Sequence, residues 1–255
     1  MLYGIHAKVS TKNRGGRRFF RAESESADDR FRRQERAVRI AELVFNLQTV
    51  EGIKTRLSAL AAGQIEDTYA ELEAAGYLKR RGLNLRFVTP TGRKGGDYDA
   101  EVILSDSSKV NCEMKCKVED SHLTSSGLLT SLKGARRQLP ADEAAVVFIK
   151  IPESWLADTN LNVIIAKALE DFFRSTSRVV GVVLRWEEVW LELQGPSGAV
   201  VYKYRLERKH RTSASSLVGD LLDAVAGPGY FPWVSFRKLV EKFCNSSVSQ
   251  GRQPE

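Results

Sequence analysis

Residues 144–151, Ala-Ala-Val-Val-Phe-Ile-Lys-Ile, constrain this chain more than any other stretch. The run leaves no polar face, so a strand made from it must be buried in a sheet rather than laid along a wet surface. The segment before it reads as a helix from Ser125, with Leu128, Leu132, Ala135 and Leu139 on one stripe, Lys133, Arg136, Arg137 and Gln138 off it, and Pro140 ending it. Three short strand patterns precede that helix: LNLRFV, DYDAEVIL and KVNCEMKCKV, separated by the turn-rich TPTGRKGG and SDSS.

Further upstream, residues 28–82 read as helices with breaks near Thr49 and Gly63. Val38, Ala41, Phe45 and Leu47 approximate one apolar stripe there, and Ile65, Tyr69, Leu72 and Gly76 another; Gly82 marks a C-terminal stop. Downstream come a helix over NVIIAKALEDFFRS, strands over RVVGVVLRW with VWLEL and over AVVYKYRLER around the turn QGPSG, a linker RTSASS, and a last helix pair around LVGDLLDAVA and FRKLVEKF. No internal repeat is visible. The expected fold class is α/β, a mixed central sheet flanked by helices, with an N-terminal helical extension and a C-terminal helical tail. The expected division is a basic arm and helical extension over 1–62, a central domain over 63–210, and a linker with C-terminal helices over 211–255.

A chain of 255 residues can bury a sizeable core without disulfides, and three cysteines offer no framework of pairs. A reducing, cytoplasmic setting is therefore expected, as is a soluble protein, because no stretch resembles a signal peptide or a membrane span. The net charge of +7 is uneven: residues 1–39 hold eleven Lys or Arg against five Asp or Glu. Such an arm suits a polyanion, since each cation meeting a phosphate releases counterions; a solvated tail is the other reading.

The chemistry concentrates in GGDYDAEVILSDSSKVNCEMKCK, residues 95–117, which carries five acids and three lysines. Strand alternation sets Glu113, Lys115 and Lys117 on one face and Cys112, Met114 and Cys116 on the other; in the preceding strand it sets Asp97, Asp99 and Glu101 together, opposite Tyr98, Ala100 and Val102. If the two strands pair through the SDSS turn, carboxylates converge beside Glu113 and Lys115. Clustered Asp and Glu oxygens form a hard-ligand environment suited to Mg²⁺ or Mn²⁺, and a lysine beside them can steady a nucleophilic water or a phosphate oxygen. The competing reading is the solvated face of an edge strand with cross-strand ion pairs. Cys112 and Cys116 do not make a zinc site with His122, because four residues along a strand separate the sulfurs by roughly 13 Å.

These residues resemble the signature of the PD-(D/E)XK nuclease superfamily, in which an Asp at the start of the second strand is followed, one turn and strand later, by Glu-x-Lys. The resemblance covers residues 64–150, and the element order resembles that superfamily's αβββαβ core. It implies Asp97 or, as second choice, Asp99 as the motif Asp, Glu113 as the motif Glu and Lys115 as the motif Lys. Glycine stands where the name-giving proline would. Glu71 resembles the acid on the helix before the first strand, and Gln138 the polar residue on the helix after Glu-x-Lys. The resemblance implies a Mg²⁺- or Mn²⁺-dependent nuclease acting on nucleic acid, DNA favoured, with Asp97, Asp99 and Glu113 as metal ligands and Lys115 orienting the attacking water. Lys117, Lys133, Arg136 and Arg137 are the candidate nucleic-acid contacts. By fold-level analogy the setting would be a bacterial defence or mobile-element system. The alternative is an inactive module of the same fold that binds nucleic acid or a protein; a homodimer or protein partner would use the N-terminal helices.

Overall fold

A computed structural model describes residues 27–92, 95–117, 121–191, 198–209, 215–229, 232–236, 238 and 239. The basic arm before residue 27, the turn QGPSG up to residue 197 and most of the last expected helix lie outside the described residues. The elements are α1 (Ala27–Leu47), α2 (Ile53–Ala61), α3 (Ile65–Lys79), β1 (Asn84–Phe87), β2 (Ala100–Ile103), β3 (Lys109–Cys116), α4 (Ser125–Gln138), β4 (Ala145–Lys150), a 3₁₀ turn (Glu153–Ala157), α5 (Leu161–Arg174), β5 (Val179–Leu191), β6 (Gly198–Arg208) and α6 (Ser216–Ala226). The protein is α/β, built on one six-stranded mixed sheet in the order β1-β2-β3-β4-β5-β6. β1, β2 and β3 form an antiparallel meander, β4 runs parallel to β3 and β5 parallel to β4, and β6 returns antiparallel. Each parallel step needs a crossover. α4 supplies the first and α5 the second.

β4 is buried along its whole length, as its apolar run requires. Its even-numbered residues Val146 and Phe148 join one core with α1, α3 and α6. Its odd-numbered residues Ala145, Val147 and Ile149 join a second core with Leu128, Leu132, Ala135 and Leu139 of α4 and with α5. The sheet thus has helices on both faces. β3 lies inside it, not at an edge, and the solvated edge-strand reading of its charged face fails: Glu113 is only 1 % exposed.

The stripe expected on α1 is corrected. Leu47 is buried as expected, but Val38 and Phe45 are exposed, and the helix buries Ile40 and Leu43 together with Arg36, Arg39 and Glu42 in their place. Charge partners from elsewhere make this possible. Arg36 meets Glu187 at 2.9 Å and Arg39 meets Glu73 at 2.5 Å, so the guanidinium groups enter the interior neutralised. α1 therefore shares a core with the strands of the central region.

Candidate active site

The site lies where β2 and β3 part. Their ladder ends at the pair Ala100 and Cys112, beyond which the β2 side of β3 has lost its strand neighbour. The Met114 N–H there is taken by a side chain: it donates to Asp99 Oδ2 at 2.7 Å, while the Asp99 N–H donates to the Cys112 carbonyl at 3.1 Å. Asp99 is consequently a bend rather than a strand residue, and the expected alternation breaks at it. Tyr98 packs with the α4 face and Ala100 with the opposite core, where unbroken pleating would have grouped them.

The acids expected to act together separate into three groups. Asp97 Oδ1 accepts from the Thr91 N–H at 2.6 Å and the Thr91 hydroxyl at 3.0 Å, tying its carboxylate into the loop before β2. Glu101 is engaged across the strands, with Arg86 at 2.6 Å, Lys109 at 3.0 Å and the Tyr98 hydroxyl as partners. Asp99 is the largest charge raising the Glu113 carboxyl.

Glu71 of α3, Asp99 and Glu113 of β3 form the acidic centre. Burial, then the charge of Asp99, pushes the Glu113 carboxyl up to about 8. Burial, then Asp99, likewise pushes Glu71 up to about 8, against the pull of Arg56. Burial raises Asp99 as well, although the Met114 N–H and Arg56 favour its ionised form. Buried like charges cannot all ionise freely, which is the physical cause of these shifts. One oxygen on each glutamate, Glu71 Oε2 and Glu113 Oε2, is buried without a hydrogen bond among the described residues.

Two cations reach this centre. Lys115 Nζ donates to Glu113 Oε1 and to Gln138 Oε1 at the end of α4, so the crossover helix brings its terminal amide to the lysine two residues beyond Glu113. Sequence reading did not anticipate the second cation, Arg56 of α2. Its Nε stands 2.9 Å from Glu71 Oε2, a charge contact with the N–H not aimed at the oxygen, and its Nη2 donates to the Asp99 carbonyl at 2.9 Å and lies 3.5 Å from Asp99 Oδ1. Asp67 was also missed. It precedes Glu71 by four residues on α3, and its charge raises both Glu71 and Asp99; helical i,i+4 spacing was the available signal.

The expected nucleic-acid residues are divided. Arg137 is exposed, and Lys133 is partly buried on α4. Lys117 donates to the Gly127 carbonyl at 3.0 Å, and Arg136 is bonded to the Ser175 carbonyl and hydroxyl.

Three carboxylates, two of them with a buried oxygen that accepts no hydrogen bond among the described residues, have the donor chemistry of a divalent-cation site. In the present side-chain arrangement, no three His, Cys, Asp or Glu groups among the described residues close into a ligand set, and Arg56 spans Glu71 and Asp99 instead. No helix among the described residues is long and apolar enough to cross a membrane. Comparison with known proteins finds no matching family model, no matching curated protein and no matching solved structure.

Proposed function

We propose that this chain is a divalent-metal-dependent nuclease of the PD-(D/E)XK type. The observation that carries the reading is the meeting of Glu71, Asp99 and Glu113 from three separate segments, each carboxyl raised by burial and two of them by Asp99, with Lys115 against Glu113. The element order α3, β1, β2, β3, α4, β4 supports it as well, being the αβββαβ order of that superfamily.

In this reading Asp99 and Glu113, with Glu71 beside them, would hold Mg²⁺ or Mn²⁺. Asp97, the first choice from sequence, is less suited because Thr91 engages its carboxylate. A bound divalent ion supplies charge neutralisation at a phosphate oxygen and acidifies water. The chain's own part is to orient that water through Lys115, whose ammonium is fixed between Glu113 and Gln138. Arg137 and Lys133 on α4 are the candidates for tracking a phosphate backbone.

Purified protein incubated with plasmid DNA and with RNA, in Mg²⁺, Mn²⁺ or EDTA, tests the proposal. Metal-dependent products that vanish in Lys115→Ala and Glu113→Gln, with folding intact, are the expected result; undiminished cleavage by Lys115→Ala refutes the assignment. The second reading, a binding module without turnover, draws support from Arg56 lying against Glu71 and Asp99. Nucleic-acid binding with no products in any metal would establish it instead.

A further inference from the structure

A second feature lies at the C-terminal end of α3, independent of the acidic centre. A cavity of about 360 Å³ opens there against β6, lined chiefly by Arg39, Tyr77, Arg80, Arg81, Tyr202 and Tyr204, with no carboxylate among the described residues of its wall. Arg39 is neutralised from behind by Glu73 at 2.5 Å. Arg80 and Arg81 make no ion pair among the described residues.

Arg81 is held in place. Its Nε donates to the Val225 carbonyl at 3.0 Å and its Nη1 to the Tyr77 carbonyl at 3.1 Å, and its guanidinium lies 3.4 Å from the centroid of the Tyr77 ring. Tyr77 stacks in turn on Tyr204 with centroids 3.9 Å apart. Burial, and the neighbouring charge of Arg80, work against the Arg81 cation. Arg80 itself is exposed, 5.7 Å from the centroid of the Trp233 ring, and the Trp233 indole nitrogen is buried without a hydrogen-bond partner among the described residues.

Arg81 alone would be explained as a cap on the last carbonyls of α3. That does not account for a second guanidinium beside it, nor for a cavity whose walls are cationic and aromatic. Arg81 is held in a partly buried position beside the charge of exposed Arg80, and an anion between the two offsets their repulsion. Guanidinium forks match the several acceptor oxygens of a phosphate better than they match a monovalent halide. The cavity volume falls in the range of small-molecule sites; it is too small for a duplex.

We infer that this cavity binds a small phosphorylated ligand of nucleotide size, with its phosphate bridging Arg80 and Arg81. The experiment is isothermal titration and thermal shift on the full chain, in EDTA so that no metal bridges phosphate to the acidic centre. The probes are inorganic phosphate, pyrophosphate and purine and pyrimidine mononucleotides. Saturable binding of a mononucleotide or pyrophosphate, with a raised Tm and a loss of about tenfold or more in affinity for Arg80→Ala, is the expected result. Arg80 is exposed, so its replacement should leave the fold unchanged; Arg81→Lys, which keeps charge but loses the fork, should also weaken binding. Absence of saturation by every probe, affinity unchanged in Arg80→Ala, or an effect of Arg80 on long oligonucleotides alone would each overturn the inference.

Discussion

Arg56 Nη2 donates to the backbone carbonyl of Asp99 at 2.9 Å while lying 3.5 Å from the Asp99 carboxylate, so one guanidinium secures the bend at the end of β2 and offsets the acid it carries. Its Nε is 2.9 Å from Glu71 Oε2. A divalent ion binding these acids would compete with Arg56 for the same oxygens. Arg56→Met is therefore expected to bind Mn²⁺ about tenfold more tightly than the parent, as read by titration calorimetry. Its stability should fall by about 1–3 kcal/mol, because the Val88 and Asp99 carbonyls lose a charged donor. Equal or weaker Mn²⁺ binding would show that cation and guanidinium do not share a site.

The raised carboxyls predict an unusual pH dependence. Unfolded glutamates titrate near ~4.3, whereas Glu71 and Glu113 in the folded chain hold their protons up to about 8. Between those values the folded state binds more protons than the unfolded state, so this centre's contribution to stability falls as pH rises. Urea unfolding at about pH 5 and about pH 8 should show a loss of about 1–3 kcal/mol from the centre. Glu113→Gln should shrink that loss. An undiminished or enlarged loss in the variant would contradict the assignment.

The parts of the fold legible in the sequence are those where a helix or strand shows one uncomplicated pattern. The buried β4 and the Leu128, Leu132, Ala135 and Leu139 stripe of α4 are of that kind. α1 misleads because its inward face carries Arg36 and Arg39, whose partners Glu187 and Glu73 lie 151 and 34 residues away. Periodicity assigns such residues to water. Pleating brings out Glu113 and Lys115, but the choice between Asp97 and Asp99 turns on where the β2 ladder stops, a boundary that pattern reading locates to within about 2–4 residues at best. Arg56 is invisible for a different reason: nothing local distinguishes it from the chain's other arginines, and its partners, the Val88 and Asp99 carbonyls, come from 32 and 43 residues away.

Gln138 is expected to act by positioning Lys115. Replacing it with alanine removes one of the lysine ammonium's acceptors and leaves Glu113 in place. On a cleavable nucleic acid, Gln138→Ala should lower kcat by about tenfold with KM little altered, whereas Lys115→Ala should lose about 10²-fold or more. The Gln138→Glu variant, which keeps an acceptor, should recover much of the rate. Loss confined to KM would instead place Gln138 in substrate binding.

Glu73, fully buried, tests the ionic interior that joins α1 to the sheet. It meets Arg39 at 2.5 Å and Arg185 at 3.2 Å and accepts from the Tyr204 hydroxyl at 3.0 Å. These guanidinium groups hold its carboxyl below the usual range despite burial, the largest opposing influence. Glu73→Ala takes away the carboxylate shared by two buried guanidinium groups, leaving Glu42 at 3.3 Å from Arg39 and Glu187 at 2.9 Å from Arg185, and should cost about 3–5 kcal/mol, seen as a Tm lower by roughly 6–20 °C. A change within about 1 kcal/mol would mean that the arginines relax to water, as at a surface pair.

Gly52 fixes the turn from which α2 starts. Its φ is +79°, and a Cβ built there would stand 2.3 Å from the Phe87 carbonyl oxygen and 2.9 Å from the Phe87 Cβ. The same turn is bonded to β1, the Phe87 N–H donating to the Glu51 carbonyl at 2.8 Å. Alanine at this position incurs the left-handed backbone cost of about 1–2 kcal/mol and must also push the turn off β1. Gly134→Ala on α4 is the matched control, because its Cβ would meet nothing among the described residues within 4 Å; it should stabilise by about 0.5–1 kcal/mol. Denaturant unfolding should therefore separate the two variants by more than about 2 kcal/mol in opposite directions. Arg56 follows Gly52 by four residues, so moving the turn also moves the guanidinium away from Asp99. Gly52→Ala should accordingly reproduce part of the tighter Mn²⁺ binding expected of Arg56→Met, and the Gly134 variant should not.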